Sequence, residues 1–343
     1  MSSHLDSSSK NEIWLHRFAV GVSCSTFLLV IAGGLVTSTD SGLAVPDWPL
    51  SYGQLMPPMV GGIFYEHGHR LVAAAVGLLT MILAIWLWRA DDRSWVRTLG
   101  WVALAAVTFQ GVLGGLTVLF LLPTPISVLH ATLAQSFFCL TIILALVTAP
   151  SWGSYKPVEK SVVNTTRAMA IASVAAVFVQ LVLGAIMRHT QSGLAIPDFP
   201  LSYGQIIPPT HEDALSAINQ QRFDLDLPPV ELAQVWIHFA HRAAALIVSF
   251  ILGTTIVHIL THYKSESRLR EPVLLLLVLL IVQGFLGALI VWTERNIEAA
   301  TAHVATGALL LGGTVLLTIR TFHFFKAPDR APTPVLIPEA SRP

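Results

Sequence analysis

A proline-rich stretch occurs twice in this chain. Residues 41–58 read SGLAVPDWPLSYGQLMPP and residues 192–209 read SGLAIPDFPLSYGQIIPP, 151 positions later. A polar segment of that length does not recur through composition alone, so the fold must be built from two copies of one unit. Both copies sit among long apolar runs. The chain is 54% hydrophobic and 12% charged, with mean hydropathy +0.67, whereas a soluble domain carries about 25% charged residues. Lipid must therefore cover much of its surface.

Eight runs are long enough to cross a bilayer: 15–37, 65–88, 97–119, 128–148, 168–189, 234–260, 272–292 and 299–321. They are continuous apolar blocks, without the alternation of barrel strands, so helix is the backbone that satisfies its own polar groups in lipid. Four spans per copy run both copies in the same sense. The expected fold is an all-α integral membrane protein, its eight transmembrane helices forming two pseudo-symmetric four-helix bundles related by an axis along the membrane normal. The expected division is an N-terminal segment 1–14, a first bundle 15–148, a linker 149–167, a second bundle 168–321 and a tail 322–343. The proline-rich tail reads as disordered from residue 328.

Fifteen of the 20 Lys and Arg residues fall on one side of these spans. The positive-inside rule then places both termini in the cytoplasm and the repeated loops on the outer face. The N-terminus lacks the pattern of a cleaved signal, so the first run reads as a retained span. Net charge is zero, which gives no case for nucleic-acid binding. Cys24 and Cys139 fall within spans and read as small buried hydrophobes rather than disulfide or metal-binding thiols.

Gly33 aligns with Gly184, and Gly42 with Gly193, at an offset of 151. Gln110-Gly111-Val112-Leu113-Gly114 aligns with Gln283-Gly284-Phe285-Leu286-Gly287 at 173. The change in offset locates an insertion of about 21 residues around 210–233, where Ala214, Leu215, Ile218 and Phe223 have the spacing of a short surface helix.

Histidines obey the same repeat. His69 and His241 align at 172, each followed by an arginine (Arg70, Arg242), and His130 and His303 align at 173. All four lie within about two turns of the outer end of their spans. Ionisable groups inside a membrane are costly and usually functional. Two imidazoles on different helices of a four-helix unit can grip a planar macrocycle from both faces, as axial ligands do in haem bundles. Zinc is the rival, but it takes three or four ligands and usually thiolates. Arg70, Arg242 and Arg188 sit at headgroup level, where they can pair with haem propionates or snorkel to water. Three residues before His69 stands Glu66, where the second copy has His238. A carboxylate beside a macrocycle can move protons or place water, which implies one catalytic and one electron-transfer centre. His67 points about 100° away from the ligand face and reads as accessory.

The SGL…PDWPL loops, the EHGHR and HFAHR segments, and the HAT and HVATG segments together resemble the haem A synthase family of bacterial and mitochondrial inner membranes, over nearly the whole chain. The resemblance implies oxidation of the C8 methyl of haem O to the formyl group of haem A by successive hydroxylations, the gem-diol losing water. It implies His241 and His303 as axial ligands of a resident haem b, His69 and His130 as the pair serving the substrate haem, and Glu66 as the catalytic carboxylate. Arg70 and Arg242 would be cofactor-binding. Some members carry cysteine pairs in the outer loops; here those positions are Val45 and Ser51, and Ile196 and Ser202. Implied partners are an electron donor (quinol or a redox protein), haem O synthase, terminal-oxidase assembly factors and membrane lipid. Two other functions share parts of this pattern: a non-enzymatic dihaem cytochrome, which needs no Glu66, and a transporter with parallel repeats, which calls for broken helices and polar sites at the midplane.

Overall fold

A computed structural model describes residues 2–155, 157–224 and 228–327. Among the described residues nine α-helices carry the fold: α1 (Ser2–Ser38), α2 (Gly61–Ala90), α3 (Ser94–Leu119), α4 (Thr124–Val147), α5 (Val163–His189), α6 (Glu212–Asp224), α7 (Leu232–His262), α8 (Ser267–Trp292) and α9 (Ile297–Phe324). All but α6 are long and apolar enough to span a membrane. The protein is an all-α, multi-pass membrane protein. Most helices begin a turn ahead of the apolar run that marks them, because polar and charged end residues still gain the helical hydrogen-bond ladder. Local chemistry sets several starts. Asn296 Oδ1 accepts from Ala299 N at 2.8 Å to cap α9. Glu231 N donates to Gln234 Oε1 at 3.0 Å in a capping box on α7.

Helix α1 packs on α2 and α4, and α3 packs on the same two; α7 and α9 are likewise each flanked by α5 and α8. One apolar core lies among α1–α4, around Leu83, Leu87 and Leu144. A second lies among α5 and α7–α9, around Leu252, Ile259 and Leu311. A smaller cluster of Val30, Phe138 and Ala308 joins them where α9 meets α1 and α4. Gly312 allows that approach, since a Cβ there would collide with Ile142 Cδ1.

The linker after α4 adds a short parallel pair, β1 (Val158–Glu159) on β2 (Phe325–Lys326). Arg167 Nη2 donates to Phe325 O at 2.7 Å and holds the end of α9 to the start of α5. The tail expected from residue 328 lies outside the described residues.

One expectation needs correction. Cys24 is exposed on α1, while Cys139 is buried; α1 turns that cysteine away from its neighbours. The inserted segment forms the expected short helix, α6, and polar residues share its buried face. Leu215 is buried and Phe223 is 77% exposed. Asn219 exchanges two hydrogen bonds of 2.9 Å with the backbone of Val230, and Arg222 Nε donates to Pro228 O at 2.9 Å. Positions 215, 219 and 222 share one face, and polar side chains fill most of it because they satisfy the chain that returns beneath them.

Candidate functional site

The repeated loops close by the same chemistry. Tyr52 and Gly53 both take positive φ, as do Tyr203 and Gly204, which forms the tight reversal that favours glycine. Ser51 and Gln54 exchange backbone hydrogen bonds of 3.0 Å across it. Asp47 accepts from the backbone N–H groups of Tyr52 at 2.7 Å and Gly53 at 2.8 Å; Asp198 does the same for Tyr203 and Gly204 at 2.7 and 2.8 Å. Those two bonds, which favour the ionised form, hold the Asp47 carboxyl below its ordinary range. The Tyr52 hydroxyl donates to Ala44 O at 2.6 Å, and that of Tyr203 to Ala195 O. Trp48 lies flat against α3, where a Cβ on Gly115 would stand 2.6 Å from its ring.

Each loop is fastened to the helix beneath it by an arginine. Arg70 Nη1 donates to Asp47 O at 2.7 Å and Leu50 O at 2.9 Å, and Nη2 to Val45 O at 3.2 Å. Arg242 reaches Asp198 O at 2.8 Å, Leu201 O at 3.0 Å and Ile196 O at 3.1 Å. Hydrogen bonds to a charged group contribute about 1.5–3 kcal/mol each, so these fastenings are strong. They also commit most of the guanidinium donors that propionate pairing would need. Arg188 is committed elsewhere, to Thr37 O and to Asp40 at 2.7 Å.

Glu66 and His238 complete the fastening at matching places. Glu66 is buried; Oε2 accepts from Val45 N at 2.8 Å and Oε1 from Arg70 at 2.6 Å. His238 Nδ1 faces Ile196 N at 3.2 Å and Nε2 faces Arg242 Nε at 3.1 Å. A carboxylate accepts both donors, but a neutral imidazole accepts at one nitrogen only. The second fastening is therefore weaker by about one hydrogen bond. His67, which spacing sets apart from the ligand face, is buried under the first loop with Nδ1 at 2.8 Å from Ser51 Oγ.

The four repeated histidines each meet a glycine. A Cβ on Gly33, Gly114, Gly184 or Gly287 would stand 3.2, 3.2, 3.2 or 3.3 Å from Cε1 of His69, His130, His241 or His303 respectively. Each ring edge thus rests on bare backbone of the membrane-spanning helix that precedes it in its half. His69 and His241 lie about 12–13 Å below the loop ends of α2 and α7, and His130 and His303 about 9 Å below those of α4 and α9. His69 and His130 are within electrostatic reach of one another, as are His241 and His303. Nδ1 of His69, His130 and His303 is buried without a partner.

This is a loop-capped, all-helical membrane protein with one couple of inward imidazoles in each half. The model of the COX15-CtaA family, described as cytochrome oxidase assembly protein, matches residues 16–61 and 61–315, and the chain belongs to that family. Its relatives include proteins named Heme A synthase. That of Geobacillus kaustophilus is 26% identical over 320 residues, 92% of this chain and 94% of the relative. Those of Bacillus licheniformis and Halalkalibacterium halodurans are 28% and 29% identical, over 87% and 86% of this chain and 93% and 94% of theirs.

The residues fit an axially ligated haem. Half-buried imidazoles backed by glycine, three of them with an Nδ1 that no partner takes, can supply the nitrogens a porphyrin iron needs on either side. Among the described residues, no three His, Cys, Asp or Glu side chains are grouped as a multi-ligand metal site.

Proposed function

We propose that the chain is a haem A synthase, converting the C8 methyl of haem O to the formyl of haem A by successive hydroxylations. His69 and His130 would hold the substrate haem in residues 15–148, and His241 and His303 a resident haem b in residues 168–321. The observation that carries this reading is the fourfold placement of imidazole against glycine, two in each half. The two halves then form four-helix units of the same sense, joined by 149–167. Bound haem b would supply one-electron transfer, its potential set by the two imidazoles and their surroundings.

The chain's own groups do the rest. The loops cap the helix ends and exclude water. Glu66 holds a carboxylate one turn from His69, where it can take or deliver a proton while Arg70 neutralises its charge. With the basic residues inside, the positive-inside rule supports a bacterial cytoplasmic-membrane protein with both termini cytoplasmic. The outer loops would face a quinol or redox-protein donor, and haem O synthase and oxidase assembly factors are the partners that supply haem O and use haem A.

One observation favours a second reading, the dihaem electron shuttle. Both Glu66 oxygens are already engaged, one by the loop amide of Val45 and one by Arg70, as both His238 nitrogens are by Ile196 and Arg242, so Glu66 is explicable without chemistry. Expression with a haem O source and separation of extracted pigments tests the two. Wild type should accumulate haem A, and Glu66→His, which copies the second half's own fastening, should not. Unchanged haem O with intact reduced-haem spectra in the wild type would refute the enzyme.

A further inference from the structure

Four residues before each of three seat glycines stands a glutamine: Gln110 before Gly114, Gln180 before Gly184, Gln283 before Gly287. With i and i+4 on one helix face, each carboxamide lies beside the histidine that rests on its glycine. Gln110 Nε2 donates to the main-chain oxygen of His130 at 2.8 Å. Gln180 Nε2 donates to the main-chain oxygen of His241 at 3.0 Å and lies 3.2 Å from its Nδ1. Gln283 Nε2 lies 3.2 Å from His303 Nε2. All three carboxamide oxygens are buried without a donor. A buried acceptor left so is costly unless a ring N–H satisfies it. An imidazole that binds iron through Nε2 carries its proton on Nδ1 and needs such an acceptor. The fourth seat breaks the pattern: the residue four before Gly33 is Leu29. Nδ1 of His69 is an orphan, as are those of His130 and His303, but His69 alone has no glutamine one turn before its glycine seat to offer an acceptor.

We propose that Gln110, Gln180 and Gln283 are positioning residues that fix the orientation of three of the four imidazoles, and that Leu29 leaves His69 free to turn, so that the first half exchanges its haem while the second retains it. This rests on the reading that the imidazole couples hold haem. It assigns the asymmetry a substrate site needs, one firm ligand and one that yields, to a position outside the loops and independent of Glu66. Outer partners of a ligating histidine alter metal affinity by about 10–100-fold, enough to separate a resident group from a passing one.

The test uses the full chain loaded with iron protoporphyrin IX, with excess apomyoglobin as acceptor. Two transfer phases are expected, fast from the first half and slow from the second. Leu29→Gln should slow the fast phase by about tenfold or more, and Gln180→Leu or Gln283→Leu should speed the slow one by a similar factor. The low-spin ferric electron paramagnetic resonance signal, whose anisotropy reports the angle between imidazole planes, should shift with Gln283→Leu. Should Leu29→Gln fail to fold, Gln110→Leu carries the same test by making the fast phase faster. Normal haem uptake with unmoved phases and signals overturns this inference alone. A wild-type chain that takes up no iron porphyrin overturns the proposed function and the inference with it.

Discussion

Replacing Gly287 with alanine isolates the contact on which the paired-imidazole geometry rests. The new Cβ would stand 3.3 Å from Cε1 and 3.8 Å from Nδ1 of His303. Carbon atoms prefer about 3.5–4.0 Å, so the ring must retreat by a few tenths of an ångström against packed neighbours. Overpacking of that kind costs about 1–3 kcal/mol. The same change gains about 0.8–1.0 kcal/mol in helix propensity, which leaves a net loss between about zero and 2 kcal/mol. Gly284 lies on the same helix one turn earlier, with nothing within 4 Å of its Cβ position, so Gly284→Ala keeps only the gain. The two alanine variants should therefore differ by about 1–3 kcal/mol, read as thermal unfolding of the purified chain in one detergent. The ferrous absorption spectrum gives a second readout, disturbed in Gly287→Ala alone. Gly114 and Gly111 repeat the comparison on α3, with His130 at 3.2 Å and open space respectively. If the alanines at 287 and 284 melt together and share one spectrum, the ring does not rest on that backbone and the seat is wrong.

Three other outcomes follow from the same contacts. Gly115→Ala should destabilise, because its Cβ would stand 2.6 Å from Trp48, and Trp48→Phe should relieve it, since the second half carries Phe199 and Ala288 at the aligned places; a double-mutant cycle should return a coupling of about 0.5–3 kcal/mol, and additivity would count against the contact. His238→Glu gives both facing donors an acceptor, so hydrogen exchange at the Ile196 amide should slow by about tenfold or more; a faster amide would mean the imidazole already serves both. Asp40 binds Arg188 at 2.7 Å and Arg295 at 2.8 Å. Burial pushes its carboxyl up, but the two arginines outweigh this and hold it below the ordinary value. Its contribution is then complete above the ordinary carboxylate pKa, about 3.9, and is lost as pH falls through the lowered one. Asp40→Asn should abolish both that acid-induced loss and the salt sensitivity of unfolding, and unchanged salt sensitivity would refute the bridge.

The sequence made the spans and the four histidines legible because both obey simple rules. An apolar block of about 20 residues has one stable form in lipid, and a duplicated polar residue inside it cannot be composition alone. The glycines were visible only as aligned letters. That Gly33 and Gly287 face imidazoles depends on which helices become neighbours, and spacing within one helix says nothing of that. Gln180 went unread for a related reason: its counterpart is Leu29, so alignment of the halves hides it. Asp40 failed the same way, because its partners Arg188 and Arg295 come from two other segments and its aligned residue is Gln191. The arginines have partners that depth alone did not suggest. Placement at headgroup level pointed to a ligand or water, and turns such as those after Pro46 and Pro197 also leave carbonyls unpaired near the helix end, where a buried carbonyl must find a donor.

That last requirement explains how the loops hold without sulfur. Some family members carry cysteines at the positions of Val45 and Ser51; here both residues are buried, at 0% and 1% exposure. Arg70 touches both positions, at Val45 O and at Ser51 Oγ, 3.2 and 3.3 Å away, and the backbone N–H of Val45 is the one that Glu66 accepts. In the second half Arg242 spans Ile196 O and Leu201 O, while His238 replaces the carboxylate. The tie between loop and helix is thus ionic in the first half and partly unsatisfied in the second. It does not respond to thiol oxidants or reductants. It does place a buried carboxylate directly beneath the first loop, tied to that loop through the backbone amide of Val45.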